Sequence, residues 1–92
     1  MKLPLTCPSC QSRLMVKTMY CELCETKVEG TYKLPLLASI PEDSQKFIIE
    51  FVKNSGSLKE MAKAMSLSYP TVRNRLDEII TQLTQTEKSM ES

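Results

Sequence analysis

Cys-Pro-Ser-Cys at residues 7–10 and Cys-Glu-Leu-Cys at residues 21–24 are two cysteine pairs separated by ten residues. Four thiolates at this spacing suit a tetrahedral metal site, because each pair can clasp the ion from one tight turn. The chain contains no histidine, so an all-sulfur shell is the only such site it can build. A closed four-sulfur shell leaves no position for water, which argues against a catalytic metal. The spacing therefore predicts one structural Zn²⁺ held by Cys7, Cys10, Cys21 and Cys24.

Two other chemistries can use the same four cysteines. Iron also accepts four tetrahedral sulfurs, and two disulfides would suit a small secreted domain. Residues 1–5 are too short and too interrupted to form an apolar targeting segment. A thioredoxin-like redox pair does not fit, because no βαβ pattern surrounds either pair. Zinc is the preferred interpretation, iron and disulfides are the alternatives, and reduced cysteines without an export signal indicate a cytoplasmic protein.

Composition sets limits on the class of protein. The 92 residues are 41% apolar and 25% charged, as in an ordinary soluble chain with one modest core. The longest uncharged apolar stretch, residues 34–40, is short and contains a proline, so no membrane span is expected. A net charge of +1 lacks the bulk basic character of many nucleic-acid binders. Without a histidine, a glycine-rich phosphate loop or a nucleophile beside a base, we expect no enzyme.

The chain divides near residue 34 into two modules. Residues 1–33 carry all four cysteines and two strand-type runs, at 13–20 and 26–33, which predicts a zinc ribbon of short antiparallel strands. A unit of this size cannot bury enough apolar area to fold alone, so the metal must supply its stability. Residues 34–41 hold two prolines and no charge. Because flexible linkers are normally polar, this linker is expected to pack through Leu36, Leu37 and Ile40.

From residue 42 to residue 92 the apolar period becomes helical. Three helices are predicted at about 42–54, 58–65 and 69–84, and the polar tail after them is expected to fray. Ser57 and Glu60 form a capping-box pattern at the start of the second helix. Ser68 can cap the third, which follows a three-residue turn. The predicted fold class is α+β: a four-cysteine zinc ribbon followed by an all-α three-helix domain with a helix-turn-helix.

The segment from Leu58 to Ile79 carries a family resemblance. It resembles the helix-turn-helix shared by LuxR-type regulators and region four of bacterial sigma factors, with a small residue, Ala62, at the position of close helix approach. Ser66 stands where that motif usually has glycine. The whole chain also resembles a bacterial and archaeal family of short proteins of unassigned function. That family joins an N-terminal zinc ribbon to this helix-turn-helix and characteristically has Ser-Tyr-Pro-Thr-Val-Arg-Asn-Arg-Leu, as at residues 68–76.

The resemblance implies a transcriptional regulator that reads duplex DNA through its third helix. The N-terminal residues of such a helix enter the major groove, where Arg pairs with guanine and Asn with adenine. Arg73 and Asn74 are the base-reading candidates by this carry-over. Ser57, Lys59 and Lys63, at the start of the preceding helix and along it, would hold phosphates. The full set of predicted DNA contacts is Ser57, Lys59, Lys63, Ser68, Tyr69, Thr71, Arg73, Asn74 and Arg75.

A second function fits the same residues. Residues 41–92 contain seven Lys and Arg against eight Asp and Glu, which disfavours DNA binding. The alternative is an adaptor that docks on RNA polymerase or another regulatory protein without reading bases. A homodimer through Ile49, the linker leucines or the ribbon is compatible with either function, because two half-sites are the common remedy for the weak DNA affinity of one small module.

Overall fold

The computed structural model describes residues 2–91, and the chain divides into two compact units between Pro35 and Leu36. The part that ends at Pro35 is called the ribbon unit, and the part that begins at Leu36 the helical unit. Two antiparallel strands followed by three helices confirm the predicted fold class. No helix in residues 2–91 is both long and apolar enough to cross a membrane.

The ribbon unit is built on one β-hairpin. Strand β1 (Val16–Tyr20) pairs with strand β2 (Lys27–Tyr32), and Tyr20 lies opposite Lys27 at the closed end. An irregularity in register falls between Val16 and Thr18. Nearly every residue of the two strands is exposed. Since little apolar surface is buried, packing contributes little to the stability of this unit.

The helical unit carries the hydrophobic core. A short 3₁₀ helix, Leu36–Ser39, precedes α1 (Glu42–Lys53), α2 (Leu58–Met65) and α3 (Tyr69–Glu91). Half-buried apolar side chains pack around a core of buried side chains from all three α-helices. The buried core residues are Phe47, Met61, Val72 and Ile79. One apolar stripe on each helix therefore packs against the other two helices.

Serine side chains cap the starts of α2 and α3. Ser57 Oγ accepts a hydrogen bond from the Glu60 amide at 3.2 Å, which caps α2. The reciprocal bond of a capping box is not made, because the Ser57 amide donates to Asn54 O and the Glu60 carboxylate lies 3.8 Å from Lys63 Nζ. The Ser68 hydroxyl accepts from the Thr71 amide at 3.3 Å and caps α3.

The boundary between the two units falls within the expected linker: Leu34 and Pro35 belong to the ribbon unit, and the residues from Leu36 onward belong to the helical unit. Ile40 is fully buried and Leu36 is half-buried, whereas Leu37 remains largely exposed. Gln45 of α1 donates a hydrogen bond from Nε2 to Ile40 O at 2.8 Å. Ile40 precedes α1, so its carbonyl is satisfied by this side chain and not by a bond within the helix. The 3₁₀ helix contacts both α1 and α3.

Helix α3 continues to Glu91, well beyond the predicted end near residue 84. The sequence after Pro70 contains neither glycine nor proline, so nothing stops the helix. Thr84 donates its hydroxyl hydrogen to Ile80 O at 2.9 Å, and Thr86 and Met90 are half-buried. The additional turns are therefore partly packed, and the expectation of a frayed tail is not met over these residues.

Met61 lies at the centre of the core and gives a direct test of it. Because its side chain is fully buried among the helices, Met61→Ala should lower the free energy of unfolding by about 2–5 kcal/mol. Met65→Ala, in the same helix but exposed, should cost about 1 kcal/mol or less. Urea denaturation followed by circular dichroism at 222 nm measures both. Equal losses for the two variants would contradict this core.

Candidate metal centre and nucleic-acid interface

The two cysteine pairs form two turns of the same geometry. In the first, the Gln11 amide donates to Cys7 O and the Cys7 amide to Ser12 O, both at 2.8 Å. In the second, the equivalent bonds join Glu25 to Cys21 O at 2.7 Å and Cys21 to Thr26 O at 2.8 Å. The residue after each second cysteine has a positive φ, 61° at Gln11 and 62° at Glu25. The sequence therefore builds one metal-binding turn twice.

A hydroxyl residue follows each turn at the same offset and was not singled out by the sequence analysis. A hydrogen bond from the Ser12 side chain lowers the pKa of the Cys10 thiol, with smaller contributions from the Ser12 backbone and from Cys7. The equivalent bond from Thr26, whose Oγ1 lies 3.1 Å from Cys24 Sγ, lowers the pKa of the Cys24 thiol. Since the thiolate is the form that binds metal, these hydroxyls favour ligation. The repeated pattern Cys-x-x-Cys-x-Ser/Thr is the signal that could have identified them.

The chemistry of these donors fits a zinc ion. Cys7 is half-buried and Cys10, Cys21 and Cys24 are exposed, and all four carry free thiols. The structure brings them together as two pairs. Within residues 2–91 it gathers no three Cys, His, Asp or Glu side chains into one cluster. Four deprotonated sulfurs, two from each turn, are the set that structural Zn²⁺ prefers.

The turn between α2 and α3 has the left-handed residue that a helix-turn-helix requires. Ser66 occupies this position with φ 55° and ψ 40°. Its amide donates to Lys63 O at 3.3 Å, and the Leu67 amide donates to Ala62 O at 3.0 Å, which closes the end of α2. Serine thus takes the place of the usual glycine without changing the turn, at a small conformational cost.

The outward face of α3 near its N-terminus is polar and exposed. Arg73 and Asn74 follow the buried Val72 directly and point away from the core, and Tyr69 and Thr71 are exposed beside them. Arg73 Nε lies 3.5 Å from Asp77 Oδ1, in a pair whose side chains are each more than half exposed. A pair of this kind is worth about 0–1 kcal/mol, so the guanidinium can leave it readily.

Arg75, which the sequence analysis groups with the DNA contacts, faces the interior of the helical unit instead. It lies three residues after Val72 and four before Ile79, both buried, and therefore shares their face of α3. Its Nη2 bonds to Asp43 Oδ2 at 3.0 Å and to Ser44 Oγ at 3.2 Å, and its Nη1 bonds to Glu78 Oε2 at 3.1 Å. The side chain is only 27% exposed. We therefore assign Arg75 to the hydrogen-bond network between α1 and α3.

A buried hydroxyl group, that of Ser44, completes this hydrogen-bond network. Ser44 is fully buried, and its hydroxyl donates to Gln82 Oε1 at 2.7 Å while it accepts from Arg75. Every polar atom of this buried serine is thereby satisfied. No sequence pattern signals this network, because its members come from residues more than thirty positions apart.

Two arginines two positions apart should consequently respond differently to the same substitution. Arg75→Met removes bonds to both Asp43 and Ser44 and should lower the free energy of unfolding by about 1–2 kcal/mol. Arg73→Met, which breaks only an exposed pair, should change it by less than about 0.5 kcal/mol. Thermal and urea unfolding of the two variants, compared side by side, make the test. A larger loss for Arg73→Met would contradict the assignment.

The residues predicted to contact phosphates near the α2–α3 turn differ in whether their polar groups already have partners within the fold. Lys63 Nζ lies 3.8 Å from Glu60 Oε1, in an exposed pair. Lys59 is exposed and has no ion pair with any residue in the described range 2–91. Ser57 and Ser68 both serve as helix caps, so their oxygens are used within the fold. Lys59 is therefore the cation most available to a ligand on this side of the turn.

A zinc ribbon joined to a helix-turn-helix domain is the class of protein that these two sites define, a combination that points to a nucleic-acid-binding regulator. The chain belongs to the DUF2089 family: "DUF2089 zinc ribbon" matches residues 7–38, and "Domain of unknown function (DUF2089)-HTH" matches residues 40–86. No curated protein and no solved structure matches the chain. The family confirms the predicted pairing of ribbon and helix-turn-helix and supports zinc binding. The resemblance to LuxR-type and sigma-factor helices stays a prediction.

Proposed function

We propose that this protein binds duplex DNA through the N-terminal half of α3 and regulates transcription, with no enzymatic activity of its own. The observation that carries this proposal is the outward, exposed position of Arg73 and Asn74 at the start of a capped helix that follows a short turn. That position is where a recognition helix presents its side chains to the major groove. The fold itself needs neither side chain, because Val72 and Ile79 supply the core contacts.

Base reading falls to Arg73 and Asn74. A guanidinium can donate two parallel bonds to guanine O6 and N7, and a carboxamide can pair with adenine N6 and N7. To do so, Arg73 must release Asp77, which costs about 0–1 kcal/mol for an exposed pair. A bidentate base contact is worth about 1–3 kcal/mol of discrimination, so the exchange favours the base.

Contacts with the phosphates of the DNA backbone would position α3 in the groove. The hydroxyls of Ser68 and Thr71 lie 2.7 Å apart, and only one of their two hydrogens is needed between them. The other hydrogen can be donated to a phosphate beside the helix N-terminus, where backbone dipoles favour negative charge. Lys59 and Lys63 would hold phosphates across the groove, and Tyr69 can reach a phosphate or a thymine methyl group.

A protein-docking adaptor is the second candidate, and the charge balance of the helical half favours it. Residues 41–92 contain seven basic and eight acidic residues. Most of the described cations in the helical unit already have acidic partners. Such a surface gains little from counterion release on DNA. The partner of an adaptor would be RNA polymerase or another regulatory protein.

Selection from a random duplex library, run with zinc-loaded protein at low salt, separates the two functions. DNA reading predicts enrichment of a short motif that contains guanine and adenine. It also predicts a logarithmic salt dependence of about −2, since two lysines neutralise about two phosphates. No enrichment and no retardation of any duplex at low salt would overturn DNA binding in favour of the adaptor.

A further inference from the structure

An apolar surface on α1 and the 3₁₀ helix remains accessible beside the core, and of its residues Ile48 also packs against the core. It is called the α1 outer face. Ile49 and Val52 are 53% and 69% exposed, although they belong to an otherwise well-packed helix. With Gln45 they follow an i, i+4, i+7 spacing, so they lie on one side of the helix, away from Phe47. The face comprises the following residues: Leu37, Ala38, Gln45, Ile48, Ile49 and Val52.

The α1 outer face has both a groove and a ridge. A groove of about 300 Å³ runs between the 3₁₀ helix and α1, lined by Leu37, Ala38, Gln45, Ile48 and Ile49. Gln45 is fixed in its floor by the bond to Ile40 O. Ile49 at the edge of the groove and Val52 next to it form the exposed ridge. Because one copy carries both shapes, the surface can satisfy the rule of a two-fold symmetric interface, in which the same patch serves on both sides.

The charges along one edge of this face are complementary to those of a second, antiparallel copy of α1. Glu42, Lys46 and Lys53 follow an i, i+4, i+11 spacing and so form one row beside the apolar residues. The row is acidic at the N-terminal end and basic at the C-terminal end. If two α1 helices pack antiparallel about a two-fold axis, Glu42 of each copy lies beside Lys53 of the other. The opposite charges then meet at both ends.

These charges can be re-paired at little cost. Within one copy Lys46 lies 3.4 Å from Glu42, and Lys53 lies 3.8 Å from Glu50; Glu42 is half-buried and the other three side chains are exposed. Exposed pairs of this kind contribute about 0–1 kcal/mol. Exchanging an intramolecular partner for an intermolecular one therefore costs little, while the apolar face is removed from water.

We infer that the α1 outer face binds a second copy of this chain, with the two α1 helices antiparallel, Ile49 of each copy packed against the groove of the other, and Glu42 paired with Lys53 across the two-fold axis. One helix face and one helical turn are smaller than the roughly 800 Å² per partner of a standard stable interface. The dimer is therefore weak and concentration-dependent. It goes beyond the proposed DNA reading and does not depend on it.

Sedimentation equilibrium of the zinc-loaded 92-residue chain, without DNA, tests the inference. The wild type should show a reversible monomer–dimer equilibrium, and Ile49→Asp should shift it to monomer by at least roughly tenfold in dissociation constant, because a charge would be buried in the interface. Ile80→Asp is the matched control, since Ile80 is similarly exposed but lies on α3. It should leave the equilibrium unchanged. Circular dichroism melts verify that both variants fold.

A charge exchange tests the antiparallel arrangement. Glu42→Lys and Lys53→Glu should each weaken the dimer, and the two changes combined in one chain should restore it, because each intermolecular pair is merely reversed. The combined variant should nevertheless be the least stable monomer, since both changes oppose the α1 dipole. Wild-type protein that stays monomeric at its highest soluble concentration would overturn the inference and assign the face to a different protein. So would a dimer that Ile49→Asp leaves intact, or a combined variant that remains dissociated. Because no DNA is present, none of these results bears on the proposed DNA reading.

Discussion

Removal of zinc by a strong chelator is expected to unfold the ribbon unit and leave the helical unit folded. The hairpin of β1 and β2 buries almost no apolar surface, so packing cannot offset the conformational entropy of ordering it. Metal binding by four thiolates contributes about 10–16 kcal/mol in small zinc domains, which is enough to do so. The helical unit has its own core and contains no cysteine, and it should therefore be unaffected.

Amide NMR spectra of the 92-residue chain, recorded before and after chelation, resolve the two units separately. The resonances of residues 16–32 should collapse to the random-coil range, while those of residues 42–91 should hardly move. Cys21→Ser should reproduce the collapse, and Ser9→Ala, in the first turn but not a ligand, should not. Metal analysis should give zinc and not iron. Unchanged strand resonances after the metal is removed would refute the dependence of the ribbon on it.

Loss of base preference in an Arg73→Ala, Asn74→Ala double variant is the second large effect expected. Each bidentate contact supplies about 1–3 kcal/mol of discrimination, so removing both should reduce the ratio of specific to non-specific affinity by roughly 30-fold or more. Affinity for non-specific duplex should fall much less, because the phosphate contacts remain. Fluorescence anisotropy with the selected duplex and a scrambled duplex measures both quantities.

Lys88→Ala is the matched control for this experiment. Lys88 lies on α3 as well, but about 22 Å further along its axis than Arg73, so a recognition helix would not bring it to the same bases. It should leave the base preference intact. If the double variant kept the wild-type preference, or if Lys88→Ala lost as much of it, base readout by the start of α3 would be wrong.

Local signals in the sequence predicted most of the helical boundaries. The side-chain oxygens of Ser57 and Ser68 each accept a hydrogen bond from the amide three residues later, so the positions of these serines locate the starts of α2 and α3. The cysteine spacing likewise predicted the ribbon, because the two turns close through bonds between residues five positions apart, such as Cys7 and Ser12. Both kinds of signal depend on near neighbours only.

The features that sequence reasoning missed depend on distant partners. Whether Arg75 faces solvent or α1 is decided by Asp43 and Ser44, which lie more than thirty residues earlier in the chain. The apolar linker could be expected to pack, but not to form a 3₁₀ helix against both α1 and α3. The length of α3 was also missed, because a polar tail without a helix breaker can either fray or continue, and tertiary packing decides which.

Titration of ¹⁵N-labelled, zinc-loaded protein with the selected duplex tests the DNA-reading account most directly. We expect the amide shifts to change in two clusters, at residues 57–59 and 68–74, with the side-chain amide of Asn74 among the largest changes, and the α1 outer face to be unaffected by the DNA contact itself. Shift changes confined to the ribbon unit, or no changes at any duplex concentration, would contradict it.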